Sequence, residues 1–411
     1  MYKQEFFFKT QEDEPALVMA DMAKIWAQIK TDASSWPLFN VAKRQDDLSL
    51  LNDVAGHIRS SFKHLIVFGT GGSSLNGQML ANLKYFVADQ FNVIFLDNVD
   101  PHRFHAALAP IAFEETAFLC ISKSGNTLET QAQFLLLCSM FGRKLGTSYS
   151  LGKNIFVITD PGDNPLRTIA AGIKATIIDH DNIGGRFSTL TAVGLLPAMV
   201  LGLSAERLRA GACAMIDEHY QADAADCKAV LGAAIHRYQA VLGYDICVTM
   251  PYIDRLSCFA NWWQQIWAES LGKNGYCTTP IKAMGTIDQH SQLQLYLDGP
   301  RDKFFTLITM DSRGVGEKIS AHGSNMSLLD GKTLGDVMYA MQETTLQTLL
   351  ANNLPSRRID LPKLDEEIMG GLTMHFALET VLMSYFLQVN PFDQPAVEAG
   401  KIIAKEMLKS L

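Results

Sequence analysis

A chain of 411 residues with 48% hydrophobic and 19% charged residues is long enough to bury two substantial cores as separate domains. Its formal charge of -8 and pI near 5.7 exclude a broad electrostatic footprint for nucleic acid, which needs concentrated Lys and Arg. Any anion it binds is expected to be small and locally held.

The opening Met1-Tyr2-Lys3-Gln4-Glu5 runs into a polar, acidic stretch through Glu14. It lacks the basic-then-apolar order of a secretory signal, so a cytoplasmic protein is expected. Residues 1–50 show a mostly helical pattern, as in Ala16–Ala20 and Met22–Trp26, and read as a helical N-terminal arm packed on the core. His64–Phe68 is a short, continuously apolar strand that opens into a glycine- and serine-rich turn, with a helix expected from Leu75. Val93–Leu96 is a further strand. The theme of the first strand returns at Ala117–Ile121, which leads into Ser122-Lys123-Ser124-Gly125-Asn126-Thr127 and a helix through Met140. Asn154–Thr159 is the next strand. The most apolar window, Leu190–Leu203, is broken by Gly194 and Pro197 and is shorter than the roughly 20 residues of a membrane span. It reads as a buried helix, and no membrane partner is expected.

A second series follows the helical stretch Ala205–Ile216, with strands at Asp245–Met250 and Phe304–Thr309. The last helices, Leu372–Gln388 and Ala396–Leu411, flank the turn Asn390-Pro391-Phe392-Asp393, where proline ends one helix. Strands alternating with helices imply an α/β fold with doubly wound parallel sheets. The expected organisation is an arm over 1–50, a first α/β domain over 51–200, a second over 201–365 and a helical C-terminal segment over 366–411. Ligands of such sheets gather outside the carboxyl ends of the strands, so a site in the cleft between the halves is expected. Seven cysteines, without a CxxC pair or a His-and-Cys cluster of zinc spacing, fit reduced thiols and no metal.

Gly69-Thr70-Gly71-Gly72-Ser73-Ser74 sits where a dinucleotide fingerprint would sit, yet its third small position is Ser74, which weakens that reading. What survives is a glycine turn with exposed N–H groups at a helix N-terminus, suited to an anion, or simply a strand-to-helix turn with a serine cap. The second loop concentrates hydroxyl, amide and amine donors after a strand and before a helix, which fits a monophosphate cradle. Its alternative is a capping arrangement with Thr127 as N-cap and Thr130 supporting the first turn. A nucleotide triphosphate site is disfavoured, because Gly331-Lys332-Thr333 has Met326 where a P-loop requires glycine.

Asn261–Lys273 reads as one helix ending near Gly272, with Gln265 and Glu269 on a shared face. The helix C-terminus and nearby tryptophans would make Glu269 a candidate base; alternatively, it is a solvated Glu paired with Lys273 at helical spacing. Gly285–Gln292 packs polar residues between apolar segments. There His290 can move protons near neutral pH or serve as a hydrogen-bonded loop residue, and Asp288 can be only a turn former. Gly184-Gly185-Arg186-Phe187-Ser188 places a guanidinium after a flexible pair, suited to an oxyanion or to pairing with a carboxylate.

Taken together, these stretches resemble the phosphoglucose isomerase family over most of the chain after the arm. The most specific pieces are Gly184–Ser188, Glu269-Ser270-Leu271-Gly272-Lys273, Gly285–Ser291 and Phe392–Lys401. The resemblance implies two sugar-isomerase (SIS-type) domains and reversible interconversion of glucose 6-phosphate and fructose 6-phosphate without metal or organic cofactor. It implies that Glu269 moves a proton between C2 and C1 through an enediolate stabilised by Arg186, after His290 and Lys401 open the ring. Gln265 and Gln394 would position the sugar. Ser122, Ser124 and Thr127, with Lys123 between them, would hold the phosphate beside Gly72 and Ser73. In the family the histidine comes from the other subunit, so a homodimer is implied. Thr70, Asn126 and Ala396 depart from the family pattern, and none is a proposed acid, base or counter-charge. The alternatives are a regulator that only binds a phosphosugar, and an isomerase that also accepts mannose 6-phosphate.

Overall fold

The computed structural model of the protein describes residues 1–8, 14–32, 36–84, 91–322 and 326–411. Residues 9–13 and 33–35 of the expected arm lie outside these. In chain order the elements are β1 (Lys3–Phe7), α1 (Glu14–Asp32), α2 (Pro37–Lys43), α3 (Leu48–Ser61), β2 (His64–Phe68), α4 (Gly72–Ala81), β3 (Asn92–Leu96), α5 (Pro101–Leu108), β4 (Thr116–Ile121), α6 (Leu128–Leu145), β5 (Ile155–Thr159), α7 (Pro165–Gly172) and β6 (Thr176–Asp179). Then come α8 (Ala192–Val200), α9 (Ala205–Gln221), α10 (Lys228–Val241), β7 (Ile246–Pro251), α11 (Ser257–Leu271), β8 (Thr279–Lys282), α12 (Leu293–Asp298), β9 (Lys303–Met310), α13 (Leu334–Ala351), β10 (Ser356–Leu361), α14 (Glu366–Phe386) and α15 (Glu398–Ser410).

Among the described residues the strands form two five-stranded sheets. One has the order β3-β2-β4-β5-β6 and is parallel throughout. The other has the order β1-β10-β9-β7-β8 and is parallel except at β1, which pairs antiparallel with β10. The α/β, parallel-sheet expectation holds. Residues 3–7 correct the helical reading of the arm, because they form an edge strand of the sheet built by the second half of the chain.

The apolar runs form strands covered on both faces, which is why they show no polar alternation. In β2, Leu65 and Val67 enter the largest core, whereas Ile66 and Phe68 enter a separate one on the other side. The largest core continues through α8, α9, α11 and α14 to Cys247, Ile308 and Ile359 of the second sheet. Every residue of α8 is buried despite Pro197, in keeping with the buried-helix reading of that window. Each large apolar side chain placed there contributes roughly 1.5–3 kcal/mol. Among the described residues no helix is long and apolar enough to cross a membrane. The Gly331-Lys332-Thr333 tripeptide is explained locally: Thr333 and Asp336 form the reciprocal cap of α13.

Beneath the second sheet lies a buried polar cluster. Arg357 forms a bidentate pair with Glu379, at 2.9 and 2.7 Å, and both side chains are fully buried. His375, His219 and His236 adjoin it. Burial pushes His219 down to about 3 and His236 down to about 4. Burial alone would raise Glu379, but Arg357 outweighs it and holds the carboxyl well below its usual range. Unfolding returns the histidines to about 6.5, so the unfolded chain takes up protons that the native one refuses. Stability from these groups is therefore present above about pH 6.5 and lost as pH falls, with Glu379 adding to the loss below about 4.3. The urea midpoint is expected to drop between pH 7.5 and pH 5.0; a constant midpoint would contradict burial of neutral histidines.

Candidate active site

The order of the first sheet reverses between β2 and β4, which marks the topological switch point. Both loops singled out by composition leave these two strands. The helix after the first loop starts at Gly72, three positions before the expected Leu75. Gly71 has φ of 56°, and a Cβ there would lie 2.9 Å from the Gln265 amide nitrogen. The N–H groups of Ser73, Ser74 and Leu75 already donate to turn carbonyls, so the loop offers an anion fewer backbone donors than its glycines alone imply.

The second half contributes through a helix rather than through strand ends. Because β7 and β8 are parallel, α11 runs back along the sheet and delivers its last turn, with Glu269, at the edge where the strands begin. The carboxylate of Glu269 accepts from Gln265 Nε2 at 2.9 Å and from Arg186 Nη1 at 3.0 Å. Arg186 is 3% exposed. It also donates to Ser270 Oγ at 2.8 Å, Gln394 Oε1 at 2.8 Å and the carbonyls of Asp393 and Pro391. Burial pulls its pKa down, and Glu269 opposes that effect. The guanidinium stays charged and is held by neutral acceptors around one carboxylate.

Two expectations about Glu269 change. Lys273 does not pair with it; Lys273 bonds Asp393 at 3.0 Å and the carbonyls of Ser270 and Asn390, clamping the segment that carries Gln394. Nor do tryptophans cage it. Trp262, Trp263 and Trp267 turn into the core, where Trp262 Nε1 supports the Arg186 carbonyl at 3.0 Å, while the Glu269 side chain is 39% exposed.

In the second loop, Thr127 occupies the N-cap of α6 but its side chain makes no capping bond. Its hydroxyl accepts from Ser122 Oγ at 2.9 Å instead, so it is not consumed by the helix. Ser124 Oγ accepts from the Asn126 N–H at 3.2 Å, and Lys123 Nζ donates to the Ile183 carbonyl at 3.0 Å. That bond joins this loop to the chain entering Arg186. Thus Gln265, Glu269, Arg186 and Gln394 form one bonded group, and Gly71 and Gly72 touch it.

His290 and Lys401 are placed differently. His290 is exposed after β8 and, among the described residues, its side chain has no hydrogen bond or ion pair. Asp288 in the same loop is structural, accepting from Met284 N–H and Ser291 Oγ. Lys401 lies on α15, is 59% exposed and bonds Glu398 at 2.6 Å. Among the described residues there is no group of three or more His, Cys, Asp or Glu placed to hold a metal.

Residues 50–411 match the family model for phosphoglucose isomerase. The chain belongs to that family. It is 34% identical over 379 residues to the glucose-6-phosphate isomerase of Carboxydothermus hydrogenoformans, with 87% of this chain and 81% of that protein covered. It is 36% identical over 379 residues to the glucose-6-phosphate isomerase of Rubrobacter xylanophilus, with 88% and 86% covered. Among solved structures, a hypothetical protein from Thermus thermophilus superposes with a TM-score of 0.88 at 26% identity, covering 99% of this chain and 100% of that one. A glucose-6-phosphate isomerase from Chlamydia trachomatis has the same fold, with a TM-score of 0.85 at 19% identity and coverage of 99% and 88%.

Several contributors to this phosphoglucose isomerase site have no role that the sequence alone reveals. Ser270 and Lys273 stood in a motif already singled out, and their spacing after Glu269 was the available signal. Asn76 and Thr189, which tie α4 to the arginine loop, carry none, since a buried amide in a helix is invisible to periodicity.

Proposed function

We propose that the protein interconverts glucose 6-phosphate and fructose 6-phosphate, with Glu269 as the base that carries a proton between C2 and C1. Family membership supports the reaction. The observation that carries the residue assignment is the Glu269 carboxylate 3.0 Å from a buried Arg186 guanidinium. A base and a cation side by side can take a proton from carbon and stabilise the oxyanion that forms. Gln265 and Gln394 border the pair and position the sugar. Ser122, Lys123, Ser124 and Thr127, with Gly72 and Ser73, hold the phosphate, whose binding energy orients the distant carbons. His290 and Lys401 open the ring.

The test is turnover of fructose 6-phosphate by purified protein with EDTA present, read through a dehydrogenase that consumes glucose 6-phosphate, with mannose 6-phosphate in parallel. EDTA-resistant turnover is expected. Binding of both phosphosugars without turnover would instead make the protein a phosphosugar-responsive regulator.

The active form is a homodimer in the cytoplasm, with His290 supplied across the interface. Seven free cysteines support a reducing compartment. The exposed, unbonded His290 supports its use elsewhere than in its own chain. So do the apolar side chains left bare on α15, Ile402, Ile403 and Met407, and Leu328 ahead of α13, 84% exposed, because surface of this kind marks contact sites. Mixing E269Q with H290Q subunits, each inactive alone, is expected to restore up to about a quarter of wild-type activity, since half the dimers are mixed and each has one intact site. No recovery after subunit exchange would place histidine and base in one chain.

A further inference from the structure

Asn76 is fully buried in α4. Its Nδ2 donates to the carbonyls of Gly72 at 2.5 Å and Gly185 at 2.7 Å, and its Oδ1 accepts from Thr189 Oγ1 at 2.6 Å. Two carbonyl acceptors on one side require the amide nitrogen there, so the orientation follows from the bonds. Around this amide the two loops are in backbone contact. A Cβ on Gly72 would lie 2.4 Å from the Gly185 carbonyl carbon and 2.7 Å from the Arg186 nitrogen. Gly72 begins the helix behind the first glycine loop, and Gly185 immediately precedes Arg186. Both carbonyls are therefore held by one side chain, which is itself held by a threonine three positions beyond Arg186.

We propose that Asn76 is a positioning residue, which fixes Arg186 relative to the phosphate-binding loops and so converts phosphate binding into placement of the guanidinium at the reacting carbons. The inference rests on the assignment of Arg186 to the enediolate. Phosphate and reacting carbons lie at opposite ends of the substrate, so binding at one end assists at the other only if the protein groups keep a fixed separation. Without the amide, the loops still touch and the turn that begins at Gly185 remains, but the side-chain bond that ties the Gly185 carbonyl to α4 is lost. A shift of about 1 Å in Arg186 is enough to cost about a hundredfold in rate.

The test is a double-mutant cycle in kcat, with inhibition by inorganic phosphate measured alongside. N76A is expected to lower kcat by about thirtyfold while the phosphate inhibition constant changes by less than about threefold. R186K alone is expected to lower kcat by about a hundredfold. In the R186K background N76A is expected to change kcat by less than about threefold, because the geometry it protects is already lost. T189V keeps Asn76 but removes the hydroxyl that orients it; a fall of about fivefold, reversed in T189S, is expected and provides the arm that survives if N76A folds poorly. An impaired R186K with wild-type kcat in N76A and T189V overturns the inference alone. Equal N76A losses in both backgrounds also overturn it, since they indicate general loosening. A wild-type kcat in R186K overturns the Arg186 assignment and the inference with it.

Discussion

Glu269→Gln is expected to lower kcat by at least about a hundredfold, the lower range for loss of a general base, with KM changed by less than about threefold. The two quantities separate because Glu269 belongs to the bonded group at the end of α11, whereas the proposed phosphate donors lie on the loops after β2 and β4. Both carboxylate oxygens accept hydrogen bonds, one from Gln265 and one from Arg186. A glutamine amide can satisfy one of these donors and turns its own N–H groups toward the other, so a modest rise in KM is the upper limit set by local rearrangement. Steady-state turnover of fructose 6-phosphate, with calorimetric binding of the same ligand, gives both numbers. Turnover within tenfold of wild type would remove Glu269 from the role of base, and unaltered turnover with weakened binding would make it a sugar contact.

Arg357→Met is expected to lower the free energy of unfolding by about 3–5 kcal/mol, the cost of leaving one member of a buried ion pair alone. Arg357 and Glu379 have no exposed surface, so water cannot take the place of the lost partner. His375 and Gln4 also lose a bonded neighbour. The double variant R357M/E379L is expected to recover most of the loss, because two apolar side chains remove the uncompensated charge together with the pair. Urea unfolding at pH 7.5 measures all three proteins. If R357M lies within about 1 kcal/mol of wild type, the pair is relaxed by water or alternative partners.

The same pair explains what was legible in the sequence. Strands β2, β3, β4, β5, β7 and β9 announced themselves through continuous apolar runs, although β3 is only partly buried. The core strand β10 did not, since Ser356-Arg357-Arg358-Ile359-Asp360-Leu361 reads as a charged loop until Glu379, twenty-two positions later on α14, is known to meet Arg357. β1 was hidden for a related reason: an edge strand takes its conformation from its hydrogen-bonded neighbour, and β10 was itself unrecognised. In the site, the residues carried by motifs were named, yet the contacts were not. Helical spacing predicted an ion pair between Glu269 and Lys273, and the structure gives each a partner remote in sequence, Arg186 and Asp393. Local rules rank neighbours along a helix, and here tertiary acceptors outcompete them.

The antiparallel union of β1 with β10 also sets a timetable for the growing chain. Gln4 and Arg357, bonded across that edge, stand 353 positions apart, while all strands of the other sheet are complete by Asp179. At roughly 5–20 residues per second, β1 waits on the order of 20–70 s for its neighbour to leave the ribosome. During that interval Phe6 and Phe7 lie in a segment that lacks its strand neighbour and can pair with another chain instead. Expression yield is therefore expected to depend on how well this short segment is kept from other nascent chains, a demand on the cell that the finished fold no longer shows.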